Sequence, residues 1–272
     1  KNSDKNLDLS IEATSIDRLG TSGYKSNVTG FSIGTQFEYL DDLRFGLSTR
    51  NTIEKIDVDS SASARQKKQD GSYFDSFIGL NFFYDKRNQK YQTTSGFFSN
   101  YDLSMPILSD TNTLTNSYNY KIFKELYENN VSTFAFSLRG ASSLSGDDIK
   151  LSERLFIPGR KLRGFESGKI GPKDGSDFIG GNYVSTINAT TTIPKILENV
   201  QNVDVVLFAD AANIWGVDYD SSLDKSGIRS SVGVGLDWLT PVGPLTFSFA
   251  QPITKEPTDI EETFRFNIGT SF

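Results

Sequence analysis

The feature that most constrains this chain is alternation of apolar and polar residues, repeated in segment after segment along 272 residues. Successive Cβ atoms of a strand point to opposite faces, so such a pattern specifies strands with one greasy and one wet side. Val203–Trp215 is the clearest case. Val203, Val205, Leu207 and Ala209 share one face, and Asp204 and Asp210 share the other. No run of about 18 apolar residues occurs, so no helix is expected to cross a bilayer.

Twelve strands are expected: Asn6–Ala13, Thr29–Leu40, Leu43–Ile56, Ser72–Asp85, Phe97–Leu108, Leu114–Tyr127, Val131–Ser143, Asn182–Pro194, Val203–Trp215, Ile228–Leu239, Leu245–Ile253 and Glu262–Phe272. Two folds accommodate them, a soluble sandwich and a transmembrane barrel, because both alternate. Composition leaves that choice open. Mean hydropathy is −0.37, yet 12% of residues are aromatic, including 21 Phe and 11 Tyr.

The connections decide it. From the first strand onward they alternate long and short. Asp41-Asp42, Glu128–Asn130 and Thr240–Gly243 are short, and 86–95 and 195–202 are intermediate. Residues 58–71, 144–181, 216–227 and 254–261 are long and rich in Ser, Asp, Gly and Lys. Short periplasmic turns opposite long external loops are the pattern of outer-membrane barrels. With that polarity Tyr39, Tyr84, Trp238 and Phe272 fall at the periplasmic rim and Trp215 at the outer rim, as interfacial aromatic girdles require. The expected fold is therefore all-β: one transmembrane antiparallel β-barrel domain over 1–272.

Several functions are excluded or disfavoured. There is no Cys and no His, which removes thiol nucleophiles, Cys/His metal sites and His-based acid–base catalysis. No enzyme activity, metal or cofactor is expected. A net charge of −6 without a basic stripe argues against nucleic acid. Acid pairs such as Asp147-Asp148 and Asp218/Asp220 read as solvated loop charges. Lys1, without Met or a signal peptide, makes the chain read as a processed or excised piece.

The last segment, Glu262–Phe272, alternates and ends on an aromatic. Phe264, Phe266, Ile268 and Phe272 share a face, and the segment includes Gly269. It resembles the C-terminal β-signal of outer-membrane proteins.

The stretch from Arg154 to Lys173 contains Leu162-Arg163-Gly164-Phe165. This resembles the sixth-loop signature of the BamA superfamily, an aliphatic residue followed by Arg-Gly-Phe or Arg-Gly-Tyr. Gly180-Gly181-Asn182, Leu207–Trp215 and Ser231–Pro252 resemble the segments that follow that loop. Upstream, Asp85, Arg87 and Gly96 fit a weaker family pattern. The resemblance is specific over 152–272 and looser over 1–151.

The resemblance implies a sixteen-stranded barrel with the long loop between its eleventh and twelfth strands. Five expected strands follow the loop here and seven precede it. It therefore implies about 12 strands of 16, without the first four strands and the N-terminal periplasmic POTRA domains; a natural twelve-stranded relative is the alternative. It implies that loop 144–181 folds into the lumen, with Arg163 pairing to Asp210 on the wall. Gly164 would permit close approach and Phe165 would pack on the wall. A second family acid aligns with Thr190, which carries no charge. The implied function is an assembly factor that folds and inserts β-barrel clients through a seam involving the last strand. Unfolded outer-membrane proteins would be its clients, outer-membrane lipids would surround it, and accessory lipoproteins would dock on the missing periplasmic domains. The alternative within the superfamily is a translocation or secretion pore.

Overall fold

In a computed structural model, residues 5–90, 92–194, 203–240 and 243–269 are described. Twelve strands carry the architecture. The first seven are β1 (Asn6–Arg18), β2 (Tyr24–Leu40), β3 (Leu43–Val58), β4 (Gly71–Asp85), β5 (Gly96–Pro106), β6 (Thr113–Tyr127) and β7 (Asn130–Ser143). After a long loop come β8 (Tyr183–Ile193), β9 (Val203–Trp215), β10 (Arg229–Thr240), β11 (Gly243–Thr254) and β12 (Phe264–Ile268). Each pairs antiparallel with its sequence neighbour, giving one twelve-stranded meander. Among the described residues β1 and β12 are its two outermost strands.

Parity sorts the two faces as alternation requires. On β9, Val206, Phe208, Asp210, Ala212 and Ile214 are buried, whereas Leu207 and Ala209 are exposed. The outward face presents Leu9, Ile11, Phe31, Ile33, Phe82, Leu138, Ile187, Val234 and Phe249, all exposed. So extensive an apolar surface is untenable in water and suits a bilayer. Aromatic pairs mark the rims: Tyr84 meets Phe97 at 5.6 Å between centroids, and Tyr183 stacks on Trp215 at 5.7 Å.

Leu207 is 43% exposed on this outward face. Replacing it with Arg is expected to destabilise the barrel by roughly 2–4 kcal/mol if it lies near the bilayer midplane. Denaturant titration in lipid bilayers measures this; an unchanged midpoint would mean that this face does not meet lipid.

Two of the tight hairpins have a local cause. Asp41-Asp42 and Glu128-Asn129 lie between paired strands, and Asp42 and Asn129 take φ of 64° and 61°. Asp and Asn tolerate this left-handed region best among residues with a side chain.

Two expectations are corrected. The first two strands were expected to stop at Ala13 and start at Thr29, leaving a long loop. Instead they pair from Asn6↔Gln36 to Arg18↔Tyr24, and only five residues, 19–23, connect them. Their outer ends are polar, so they carry no apolar pattern, yet the ladder continues and Ser15 Oγ donates to Asn27 Oδ1 at 2.7 Å. The expected last strand, Glu262–Phe272, is divided. Phe264–Ile268 pairs with β11, while Glu261–Glu262 leaves the wall and pairs with Gly164–Phe165 of the long loop. Phe272 lies outside the described residues.

Candidate functional site

The loop between β7 and β8 fills the outer part of the lumen. Ile149, Leu155, Ile157, Leu162, Phe165 and Ile170 from the loop form one buried cluster with Ala141, Val184, Ala212 and Ile214 from the inner wall. Where the loop lies against the wall, the lumenal positions of the wall are apolar. Desolvated apolar area is what holds the loop inside.

Arg163 is fixed at the centre of this plug. Its Nε donates to Asp210 Oδ2 at 2.7 Å and its Nη2 to Asp210 Oδ1 at 2.8 Å. Its backbone N–H donates to Oδ2 at 3.1 Å. Asn188 Nδ2 donates to Oδ1 at 2.8 Å. The four acceptor positions of the carboxylate are thus occupied, which is what a carboxylate with no exposed side-chain surface requires. The guanidinium also lies 3.5 Å from the centroid of the Phe208 ring, adding a cation–π contact. Only a planar fork can make both parallel bonds while lying flat on a ring.

The next two residues explain the motif. Gly164 has φ of +92°, and a Cβ there would lie 3.2 Å from Ala250 Cβ and 3.3 Å from Ser231 Cβ. The backbone comes this close to β10 and β11, and Ser231 Oγ donates to the Arg163 carbonyl at 2.5 Å. Leu162 and Phe165 are fully buried. Gly164→Ala is expected to cost on the order of 1–3 kcal/mol through backbone strain alone. The thermal unfolding midpoint measures it, with Thr190→Val as a control expected to stay within about 0.5 kcal/mol.

Thr190 is a correction. It faces the lumen, as its parity requires, but sits opposite Phe208 in the ladder, and among the described residues no hydrogen bond joins it to Asp210. The residue opposite Asp210 is Asn188, whose Nδ2 also donates to the Lys161 carbonyl at 2.8 Å. The position that resembles the second family acid therefore lies two residues along the strand from the residue that meets Asp210. The register Asn188↔Asp210 is a property of strand pairing, which one sequence does not display.

The loop is joined to the last strand as well. Arg265, on the lumenal face of β12, donates from Nη2 to the Phe165 carbonyl at 2.6 Å and from Nη1 to the Gly159 carbonyl. Glu166 N–H donates to the Ile260 carbonyl at 2.8 Å, and Ile260 N–H to the Lys169 carbonyl at 3.1 Å. Phe264, Phe266 and Ile268 point outward and are exposed. Phe264 and Phe266 stack on Phe249 and Phe247, each at 4.8 Å. Gly269, with φ of +116°, bends the chain directly after the strand.

On the far side of the lumen, Lys150 enters a buried group of three carboxylates: Glu54 and Asp75 from the wall, and Glu153 from the loop. Burial works against its charge, but the surrounding carboxylates outweigh it and hold the ammonium well above the ordinary lysine pKa. Leu151 packs beside it against Tyr24 and Ile56. The loop is therefore held against β2–β4 and against β9. Neither Lys150 nor Arg265 was singled out in the sequence. Each has lumenal or loop placement legible from pattern, but Glu54 and Asp75 for Lys150, and the Gly159 and Phe165 carbonyls for Arg265, are distant in the chain.

An antiparallel meander with a continuous outward apolar face, its lumen plugged by its own longest loop, defines a membrane β-barrel of the plugged type. A family model described as the Omp85 superfamily domain matches residues 1–272, and the chain belongs to that superfamily. It is 31% identical over 174 residues to the outer membrane protein assembly factor BamA of Neisseria meningitidis serogroup B, covering 52% of this chain and 22% of that protein. It is 25% identical over 257 residues to BamA of Neorickettsia risticii, covering 92% of this chain and 34% of that one. The fold matches the crystal structure of BamA from Haemophilus ducreyi lacking POTRA domains 1–3, with TM-score 0.84, 24% identity and coverage of 96% and 58%. The chain thus spans between about a fifth and a third of the length of these two curated relatives.

Proposed function

We propose that this chain is the barrel portion of an outer-membrane protein assembly factor that folds and inserts β-barrel clients. The observation that carries this reading is the docking of Leu162-Arg163-Gly164-Phe165 on Asp210, in a barrel whose relatives are named as assembly factors. An outer-membrane location follows from the same relatives and the outward apolar face.

The edge chemistry suits the task. β12 is five residues long against twelve for its neighbour β11. Among the described residues its outer backbone edge carries no strand, so its N–H and C=O groups can template an incoming client strand. The loop bonds made by Arg265 hold that edge in place, and its far side is where the seam with the first strand of the whole barrel would open. In the whole protein, four further strands and periplasmic POTRA domains precede this segment, accessory lipoproteins dock on the latter, and lipid near the short edge strand thins. No covalent chemistry enters this reading.

The test uses the full-length protein in lipid vesicles with a urea-unfolded outer-membrane barrel as client. Folding of the client, read by its shifted mobility on a cold gel, should accelerate over empty vesicles. Passage of a soluble polypeptide into the vesicles, with no acceleration of client folding, would overturn the assembly reading in favour of translocation.

A further inference from the structure

Beside the plug, towards the outer end of the barrel, lies a cavity of about 500 Å³. Its charged lining residues are all cationic: Arg18 at the end of β1, Arg139 on the inner face of β7, and Arg154 in the loop. Thr21 and Ser167 add hydroxyls, and no carboxylate lines it. This is unexpected in a chain with net charge −6.

The three arginines are not equivalent. Arg154 donates to Asn182 and Asp218, yet it is buried and its Nε has no partner among the described residues. A buried donor without a partner costs free energy unless a ligand or water satisfies it. Arg18 lies 4.4 Å from the Phe156 ring centroid and has no carboxylate partner among the described residues. Arg139 likewise has none. Arg163 and Arg265, by contrast, are each paired with an acid. Two uncompensated guanidiniums and one orphaned buried Nε around one cavity match an oxyanion with several acceptor oxygens.

We propose that this cavity binds a phosphate-bearing ligand of about sugar-phosphate size, held by Arg18 and Arg139 with Arg154 completing its donors. Guanidinium forks match phosphate geometry bidentately, and the volume lies within the range of small-ligand sites. The same chemistry occurs in a free sugar phosphate and in the phosphorylated sugar headgroup of a lipid. The inference is independent of the assembly reading.

Calorimetric titration of the full-length protein in detergent tests it, with inorganic phosphate and glucose 6-phosphate as probes at low ionic strength. Both should bind, glucose 6-phosphate more tightly, and binding should weaken with added salt. Arg139→Gln and Arg18→Gln should each raise Kd by about tenfold or more, roughly the effect of 1.4 kcal/mol. A cold-gel mobility check shows that each variant keeps its barrel, and Arg18→Gln, at a strand end, serves if Arg139→Gln does not fold. Displacement of glucose 6-phosphate by vesicles bearing a phosphorylated-sugar lipid assigns the lipid source, and failure to displace it assigns the free ligand. Absence of binding by either probe at millimolar concentration, or binding unchanged in both variants, overturns the proposal.

Discussion

Arg163→Ala is expected to destabilise the barrel by about 3–5 kcal/mol and to release the loop from the lumen. The magnitude follows from what is left behind. Asp210 has no exposed side-chain surface, and without Arg163 its charge would stay buried with only Asn188 and one backbone N–H to satisfy it. The cation–π contact with Phe208 is lost at the same time. Trypsin should then cut between residues 144 and 181 faster than in the native protein, and the unfolding midpoint should fall. Arg163→Lys should be intermediate, because an ammonium cannot make two parallel bonds while lying on the ring. The double variant Arg163→Ala/Asp210→Ala should recover part of the loss, since it removes the stranded charge. A loop that stays protected in Arg163→Ala would show that the apolar cluster alone holds the plug. Client folding measured on the same variants separates plug release from function.

The second large effect is expected at Arg229. Both Arg229 and Asp259 have side chains with no exposed surface. Arg229 Nε donates to Oδ2 at 2.8 Å and Nη2 to Oδ1 at 3.2 Å, while Nη1 donates to the carbonyls of Lys225 and Gly227. Asp259 also accepts from Gly171 N–H at 3.1 Å and Glu256 N–H at 2.8 Å. One ion pair therefore ties together the connection after β9, the connection after β11 and the plug loop. Arg229→Ala should cost about 3–5 kcal/mol by stranding Asp259, and amide exchange of Gly171 and Glu256 should speed up. Replacing both residues by Leu and Met should cost much less, because breaking a buried pair is worse than omitting it. Equal losses in the single and double variants would show that the backbone anchors, not the pair, carry the stability.

These two sites differ in how far the sequence revealed them. Arg163 and Asp210 are both legible in the sequence, through the resemblance of the loop motif and its wall partner, with alternation along Val203–Trp215, whose bounds the structure reproduces, giving the face of Asp210. Arg229 and Asp259 were not, because nothing in either local segment signals the other. Thr190 shows the boundary most clearly. The resemblance put it on the lumenal wall, but the ladder puts Asn188 opposite Asp210. Parity is a consequence of strand dihedrals within one segment. Register depends on turn lengths and on irregularities such as those at Glu38/Leu40, Glu125/Tyr127 and Ser230/Ser231, which shift pairing without a strong sequence mark.

The sequence by itself determined the strands, their inward and outward faces, the asymmetry of the connections and the loop motif, because each is encoded by neighbouring residues through backbone geometry. Tertiary structure alone decided where the loop docks, that β12 parts from Glu261–Glu262, and which wall residues meet Arg163, Lys150 and Arg265. Those outcomes rest on burial and hydrogen bonding between segments up to 106 residues apart, as between Arg265 and Gly159, and such contacts exist only once the sheet has curved around its own loop.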